Sequence, residues 1–124
     1  MSAQDPAARA YVQAVLELYV RLPGTRPAPT RLDRLLAATF YGRGLPLSLV
    51  LAAMLLAAAR RTLRRPGTAP LPPVRCLHYF LPVINEVAQA PLDPGYVDYL
   101  AGRLQPFMKL ASTTGQKTSL TGGR

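Results

Sequence analysis

Arginine is the residue type whose number and spacing in this sequence indicate a function. Ten arginines fall between Arg21 and Arg75, with Asp33 as the single acidic residue in that stretch. The chain has a net charge of +9, so the whole excess lies in the middle of the sequence. A field of one sign on a small domain attracts polyanions such as nucleic acid, or an anionic membrane surface. The alternatives are a solvated basic surface and a GC-rich genome, in which arginine codons are common.

Four arginines end an apolar segment at residues 49–59, and Tyr79 follows four residues after Arg75. Guanidinium groups bind phosphate, and exposed rings stack on unpaired bases for ~1–3 kcal/mol each. The alternatives are that the four arginines only stabilise a helix C-terminus and that Tyr79 belongs to the core. The candidate nucleic-acid-binding residues are Arg31, Arg34, Arg43, Arg60, Arg61, Arg64, Arg65, Arg75 and Tyr79.

No spacing of residue types indicates catalysis, a cofactor or a metal. Cys76 and His78 are the single cysteine and histidine of the chain, too few ligands for a Cys/His metal site. The segment TTGQKTS, residues 113–119, lacks the Gly-Lys pair and the preceding strand of a phosphate loop. We therefore expect a non-enzymatic protein with no catalytic residue, no cofactor and a partly buried His78.

An all-α fold is predicted to position the arginines. Asp followed by Pro opens the first and the fifth predicted helix, at Asp5 and Asp93, and Thr30 with Asp33 forms a capping box at the second. The apolar positions are Tyr11, Val15, Tyr19 and Leu22 in the first helix, Leu32, Leu35, Leu36 and Phe40 in the second, and Val97, Leu100, Leu104 and Met108 in the fifth.

The third predicted helix, residues 46–64, is apolar on nearly all sides, which favours a central helix surrounded by others. Only 16 uncharged residues separate Arg43 from Arg60, fewer than the ~20 that a membrane-spanning helix needs. The N-terminal residues lack the basic region and the apolar run of a signal peptide. We therefore expect a cytoplasmic protein without a membrane span.

The fourth helix is predicted over residues 74–89, with Pro82 inside it. Proline removes a helical hydrogen bond, so the helix either bends or ends and restarts. Because the apolar spacing continues in register, we expect a bend. The predicted architecture is an all-α bundle of about five helices in one domain, residues 1–110, followed by a disordered polar tail, residues 111–124.

Two segments, YGRGLPLSLVLAAMLLAAA and LHYFLPVINEV, resemble the helical DnaD-type domain of bacterial and phage replication initiators. In that family, an alanine-rich helix precedes one that bears Tyr-x-x-x-Ile-x-x-x-Trp. Tyr79, Val83 and Val87 fall on this motif, and the resemblance covers roughly residues 32–88. It implies binding to single-stranded DNA or to replication proteins through the Tyr79 helix and the flanking basic residues.

The sequence therefore favours a nucleic-acid-binding accessory protein of a bacterium or a mobile element, with DNA as the expected partner. The alternative is a helical adaptor or self-associating protein that packs its apolar third or fourth helix against another chain. Salt separates the two, because about five phosphate contacts give a log-log slope of about −4, whereas an apolar interface barely responds. Attachment to an anionic membrane would need an amphipathic helix with a larger polar face than the third helix has.

Overall fold

The computed structural model describes residues 5–109 as helices joined by proline-containing loops. Within that range there is no β-strand, which confirms the all-α prediction. The predicted tail, residues 111–124, and its TTGQKTS segment lie outside the described residues. The helices are α1 (Pro6–Arg21), α2 (Arg31–Gly42), α3 (Leu47–Thr62), α4 (Leu81–Gln89) and α5 (Pro94–Leu104), with 3₁₀ turns at Leu77–Phe80 and Gln105–Phe107.

Side-chain caps begin three of the helices where the sequence predicts them. The Asp5 and Asp93 carboxylates each accept a backbone N–H two residues later, at 3.0 and 2.8 Å, and each precedes a proline in the first turn. Thr30 and Asp33 form the predicted capping box: Asp33 N donates to Thr30 Oγ1 at 3.2 Å, and Thr30 N donates to Asp33 Oδ2 at 2.9 Å. Each cap satisfies N–H groups that have no partner within their own helix.

Helix α3 lies at the centre of the bundle, as its apolar sequence predicts. It packs against α1, α4 and α5, and eight of its 16 residues are buried. Five of those eight are alanines, whose small side chains allow the neighbouring helices to approach closely. Among the described residues, no helix is both long and apolar enough to cross a membrane.

The start of the fourth helix differs from the prediction. Instead of one helix from Val74 that bends at Pro82, the chain forms the 3₁₀ turn Leu77–Phe80, and α4 begins at Leu81. Pro82 therefore occupies the first helical turn, where N–H groups have no helical acceptor and proline removes no bond. The apolar register continues across this change of helix type, with Leu77 and Ile84 both buried.

The buried face of α2 also differs from the predicted apolar stripe. Leu32 and Leu35 are exposed, whereas Asp33 is only 1% exposed. Its carboxylate Oδ1 accepts the Leu77 N–H at 2.8 Å, which ties the first turn of α2 to the 3₁₀ turn. Because Phe40 lies on the same side of the helix as Asp33 and is buried, this side faces the core and the two leucines face outward.

Candidate nucleic-acid interface

Two proline-rich loops meet beside the C-terminal end of α3. Residues 22–30 connect α1 to α2, and residues 63–76 connect α3 to the 3₁₀ turn. Val74 N donates to the Gly24 carbonyl at 2.7 Å, and Arg26 Nε donates to the Arg75 carbonyl at 2.8 Å. Since proline limits the conformations of both loops, these two cross-loop bonds fix their relative position.

Arg61, in the last turn of α3, reaches into this contact between the loops. Its Nη2 donates to the Pro72 carbonyl at 2.7 Å, and its Nη1 donates to the Tyr79 hydroxyl at 3.4 Å. The guanidinium carbon lies 5.4 Å from the centre of the Tyr79 ring. On the other side lies Gly24, whose φ is +82° and where a Cβ would come within 3.2 Å of Arg61 Nη2. Glycine at this position therefore permits both the turn and the approach of the guanidinium.

Arg26, Arg61, Tyr79 and, through its backbone carbonyl, Arg75 thus come together, and we call them the junction cluster. The Arg61 and Arg26 guanidiniums bind the carbonyls of Pro72 and Arg75, which are three residues apart along the chain and so at most ~10 Å from each other. Tyr79 is 43% exposed. No member forms an ion pair with a carboxylate in the described part of the chain. A carbonyl acceptor leaves the guanidinium charge uncompensated and several N–H donors unused.

Arg64 and Arg65 lie in the loop after α3 and not in its last turn, because the helix ends at Thr62. Arg64 Nη1 donates to the Ala69 carbonyl at 2.8 Å. The Arg65 carbonyl accepts the N–H of Thr68 at 3.2 Å and also its hydroxyl, while the Arg65 side chain is exposed. Of the four clustered arginines, only Arg60 and Arg61 occupy the last helical turn, so stabilisation of the helix end does not account for the other two.

Arg60 differs from the other arginines because a carboxylate neutralises it. Its Nη1 and Nη2 donate to the two oxygens of Glu86 at 2.9 and 2.6 Å. This bidentate hydrogen bonding raises the pKa of Arg60 and lowers the pKa of Glu86. The pair connects α3 to α4 on the surface. Although Arg60 precedes Arg61 in sequence, it faces a different neighbour and does not join the junction cluster.

The three candidate arginines of α2 are exposed but are not gathered at one place. Arg31 lies two residues before Asp33, about 200° around the helix, and therefore on the side opposite the 3₁₀ turn. Arg43 caps the other end of α2, about 18 Å along the axis from Arg31. Arg34, about 100° from Asp33, is on the flank. The structure thus brings Arg61, Arg75 and Tyr79 together and leaves Arg31 and Arg43 apart.

Two groups of residues are absent from the sequence-based candidates. One is Arg26, which sequence spacing could not connect with Arg75, 49 positions away. The other is an exposed row on α5 and the turn after it, consisting of Tyr96, Tyr99, Arg103 and Phe107. Their spacing of three, four and four residues is a helical period. Each of Tyr99 and Arg103 comes one position before a buried leucine, Leu100 or Leu104. The helical spacing of the row could therefore have been recognised in the sequence.

Cys76 and His78 are both exposed, so the prediction of a partly buried His78 is wrong. The short 3₁₀ turn that holds His78 buries Leu77 and Phe80 and leaves the positions between them outside. Over residues 5–109, no three Cys, His, Asp or Glu side chains lie close enough together to hold a metal ion.

Comparisons of the chain with protein-family models, with curated proteins and with solved structures found no match. The resemblance to DnaD-type domains therefore stays a prediction.

Proposed function

We propose that this protein binds nucleic acid through the junction cluster, as a non-enzymatic accessory factor. One observation carries the proposal: of the ten arginines between Arg21 and Arg75, only Arg60 forms an ion pair within the described range. The others contact backbone carbonyls, the Tyr79 side chain or solvent. Phosphate oxygens accept guanidinium N–H groups in strong, charge-assisted hydrogen bonds. A polyanion with closely spaced phosphates would compensate charges that the protein leaves uncompensated.

The geometry of the cluster supports contact with several neighbouring phosphates. Arg26 and Arg61 are held along a segment of at most ~10 Å, and Arg64 and Arg65 flank it in the same loop. Bonds to carbonyls hold the guanidiniums of Arg26, Arg61 and Arg64 in place, so their side chains lose less conformational freedom when phosphate binds. The exposed ring of Tyr79 offers a surface on which a base can stack.

DNA replication is the proposed setting, and this part of the proposal depends on the resemblance of residues 32–88 to DnaD-type domains. Tyr79 connects the two arguments, because it is the tyrosine of that motif and also the aromatic member of the junction cluster. The cytoplasm of a bacterial cell, or of a cell that carries a mobile element, is the compartment that goes with this role.

Fluorescence anisotropy with labelled single-stranded and duplex DNA over a salt series tests the proposal. Five phosphate contacts predict a slope of log affinity against log salt of about −4 for the wild type. Arg65→Ala/Arg75→Ala removes two exposed side chains that bind nothing else in the described chain, and it should flatten the slope by roughly 1.4–1.8. Arg31→Ala/Arg43→Ala removes the same charge away from the cluster and should leave the slope nearly unchanged.

Circular dichroism of each variant verifies that the fold is intact. No DNA binding at low salt would refute the proposal. Equal flattening in the two double variants would refute the location of the site, because binding would then follow net charge alone.

An adaptor role is the second candidate, and the exposure of Leu32 and Leu35 on α2 favours it. The sequence offered the third or the fourth helix for this role. Because α3 packs against α1, α4 and α5 and has eight of its 16 residues buried, the exposed leucines of α2 offer a more accessible docking face. A partner bound at the two leucines would be lost in Leu32→Ser/Leu35→Ser and would respond little to salt. Sedimentation of the wild type at increasing concentration tests whether that partner is a second copy of the chain.

A further inference from the structure

Helix α5 carries exposed aromatic side chains that the junction cluster does not use. Tyr96, Tyr99 and Phe107 are 44%, 53% and 48% exposed. Tyr96, Tyr99 and Arg103 share one helix face because they are spaced by three and four residues, and Phe107 lies in the 3₁₀ turn that continues the helix. Neighbouring large apolar groups left in solvent indicate a binding surface.

The rings in this row are held in defined positions. The Tyr96 and Tyr99 ring centres are 6.0 Å apart, and the ring planes differ by 22°. Arg103 Nη1 donates to the Tyr99 hydroxyl at 2.7 Å, and its guanidinium carbon lies 5.7 Å from the ring centre. Arg61 and Tyr79 repeat this arrangement at the junction cluster. At both sites a guanidinium thus lies over an exposed ring, within 6 Å of its centre, which is the geometry of a cation–π contact.

Gly102 leaves the helix surface next to Tyr99 without a side chain. It lies three residues after Tyr99 and is therefore its neighbour on the helix. A Cβ at Gly102 would meet nothing within 4 Å, and its φ is not positive, so neither packing nor backbone conformation requires glycine. Glycine inside a helix costs ~1 kcal/mol relative to alanine. The helix surface at Gly102 is therefore open, and no neighbouring side chain fills it.

The aromatic row lies on a helix that packs against the central helix of the bundle. Helix α5 contacts α3, the helix whose last turn holds Arg61. From Tyr96 to Phe107 the row extends roughly 16 Å, the length of about five stacked nucleotides.

We propose that Tyr96, Tyr99 and Phe107 form a platform on which the bases of a single-stranded nucleic acid stack, with Arg103 contacting its backbone. The inference rests on the proposed function and adds a preference for unpaired strands. In a duplex the base faces are already stacked on one another, so only a single strand can place them on the rings. The guanidinium of Arg103, held against the Tyr99 ring, favours an anionic nucleic acid over an uncharged protein partner.

The chain contains no tryptophan, so Tyr99→Trp is a single fluorescent reporter on the platform. Titration with an oligothymidylate of about 15 nucleotides should quench its emission, whereas a hairpin duplex should quench it much less. Tyr96→Leu/Tyr99→Leu keeps apolar volume and removes the rings, so it should weaken binding to the single strand at least ~10-fold and change duplex binding less than about twofold. Tyr99→Phe keeps the ring and should retain most of the affinity.

Leu32→Ala/Leu35→Ala is the matched control, since it removes exposed apolar groups from α2 and should leave affinity for the single strand unchanged. If Tyr96→Leu/Tyr99→Leu binds the single strand as the wild type does, and the emission of the Tyr99→Trp reporter is not quenched, the platform is refuted. Binding at the junction cluster then still stands. If the wild type binds neither nucleic acid at low salt, both proposals fail. If Tyr96→Leu/Tyr99→Leu instead abolishes self-association and leaves the affinity for DNA unchanged, the face binds protein and the platform is likewise refuted.

Discussion

Replacement of Asp33 by alanine should destabilise the protein more than any other single change to a charged side chain. The Asp33 carboxylate makes two contacts. Oδ2 accepts the Thr30 N–H in the capping box. Oδ1 accepts the N–H of Leu77, a fully buried residue. Loss of a cap costs ~1 kcal/mol. A buried donor left without an acceptor costs ~1–3 kcal/mol. We therefore expect Asp33→Ala to lower the free energy of unfolding by about 3 kcal/mol.

Asparagine at the same position separates the two contacts. Asp33→Asn retains one side-chain oxygen, so it can accept one of the two N–H groups, and the expected loss is about half as large, roughly 1.5 kcal/mol. Urea unfolding followed by circular dichroism gives these values from the midpoints, provided that the urea dependence of the free energy is unchanged. Asp98→Ala is the control, because Asp98 is exposed on α5 and should change stability by less than ~0.5 kcal/mol. A loss below ~1 kcal/mol for Asp33→Ala would show that the bond to Leu77 does not hold α2 against the 3₁₀ turn.

Four further outcomes are expected. Gly102→Ala should raise the free energy of unfolding by up to ~1 kcal/mol in urea. Tyr19→Phe should raise it by about 1 kcal/mol, because the Tyr19 hydroxyl is buried without a hydrogen-bond partner in the described chain. Burial raises the pKa of Tyr11 and of Tyr19 to about 12, so the folded protein keeps protons that the unfolded chain loses near pH ~10. Stability should thus be unaffected below that pH and fall between about 10 and 12, as tyrosinate absorbance and unfolding at each pH can show. Glu86→Gln frees Arg60 from its ion pair and should leave the salt dependence of DNA binding nearly unchanged, because Arg60 lies outside the junction cluster, whereas a slope steeper by about 0.7–0.9 would place Arg60 within the site.

Local signals in the sequence predict the helix starts and the place of α3, because the interactions responsible are local. Asp5 and Asp93 bind N–H groups two residues away, and Thr30 and Asp33 bind each other. The apolar character of α3 on all sides indicates its burial without knowledge of its neighbours. Such features depend on few residues and can be recognised in a single sequence.

The exposed face of α2 could not be predicted in this way. Apolar spacing places Leu32 on the buried stripe, but the bond from Leu77 to Asp33 joins residues 44 positions apart and turns the helix so that a carboxylate faces the core. The candidate site shows the same limit. The sequence gives the density of arginine, while the pairing of Arg60 with Glu86, 26 positions away, decides which guanidinium is neutralised.

The alanines of α3 have a consequence for the entropy of folding. Fixing an alanine side chain loses essentially no rotamer freedom, whereas a longer side chain loses up to ~2 kcal/mol. Five of the eight buried residues of α3 are alanines, so the centre of the protein becomes ordered with little loss of side-chain entropy. Close packing there depends on the separation of the helix axes more than on interlocking side chains. Substitutions that enlarge the side chains of α3 should therefore be accepted less often than substitutions that make them smaller. Added methyl groups at α3 would push three neighbouring helices outward together.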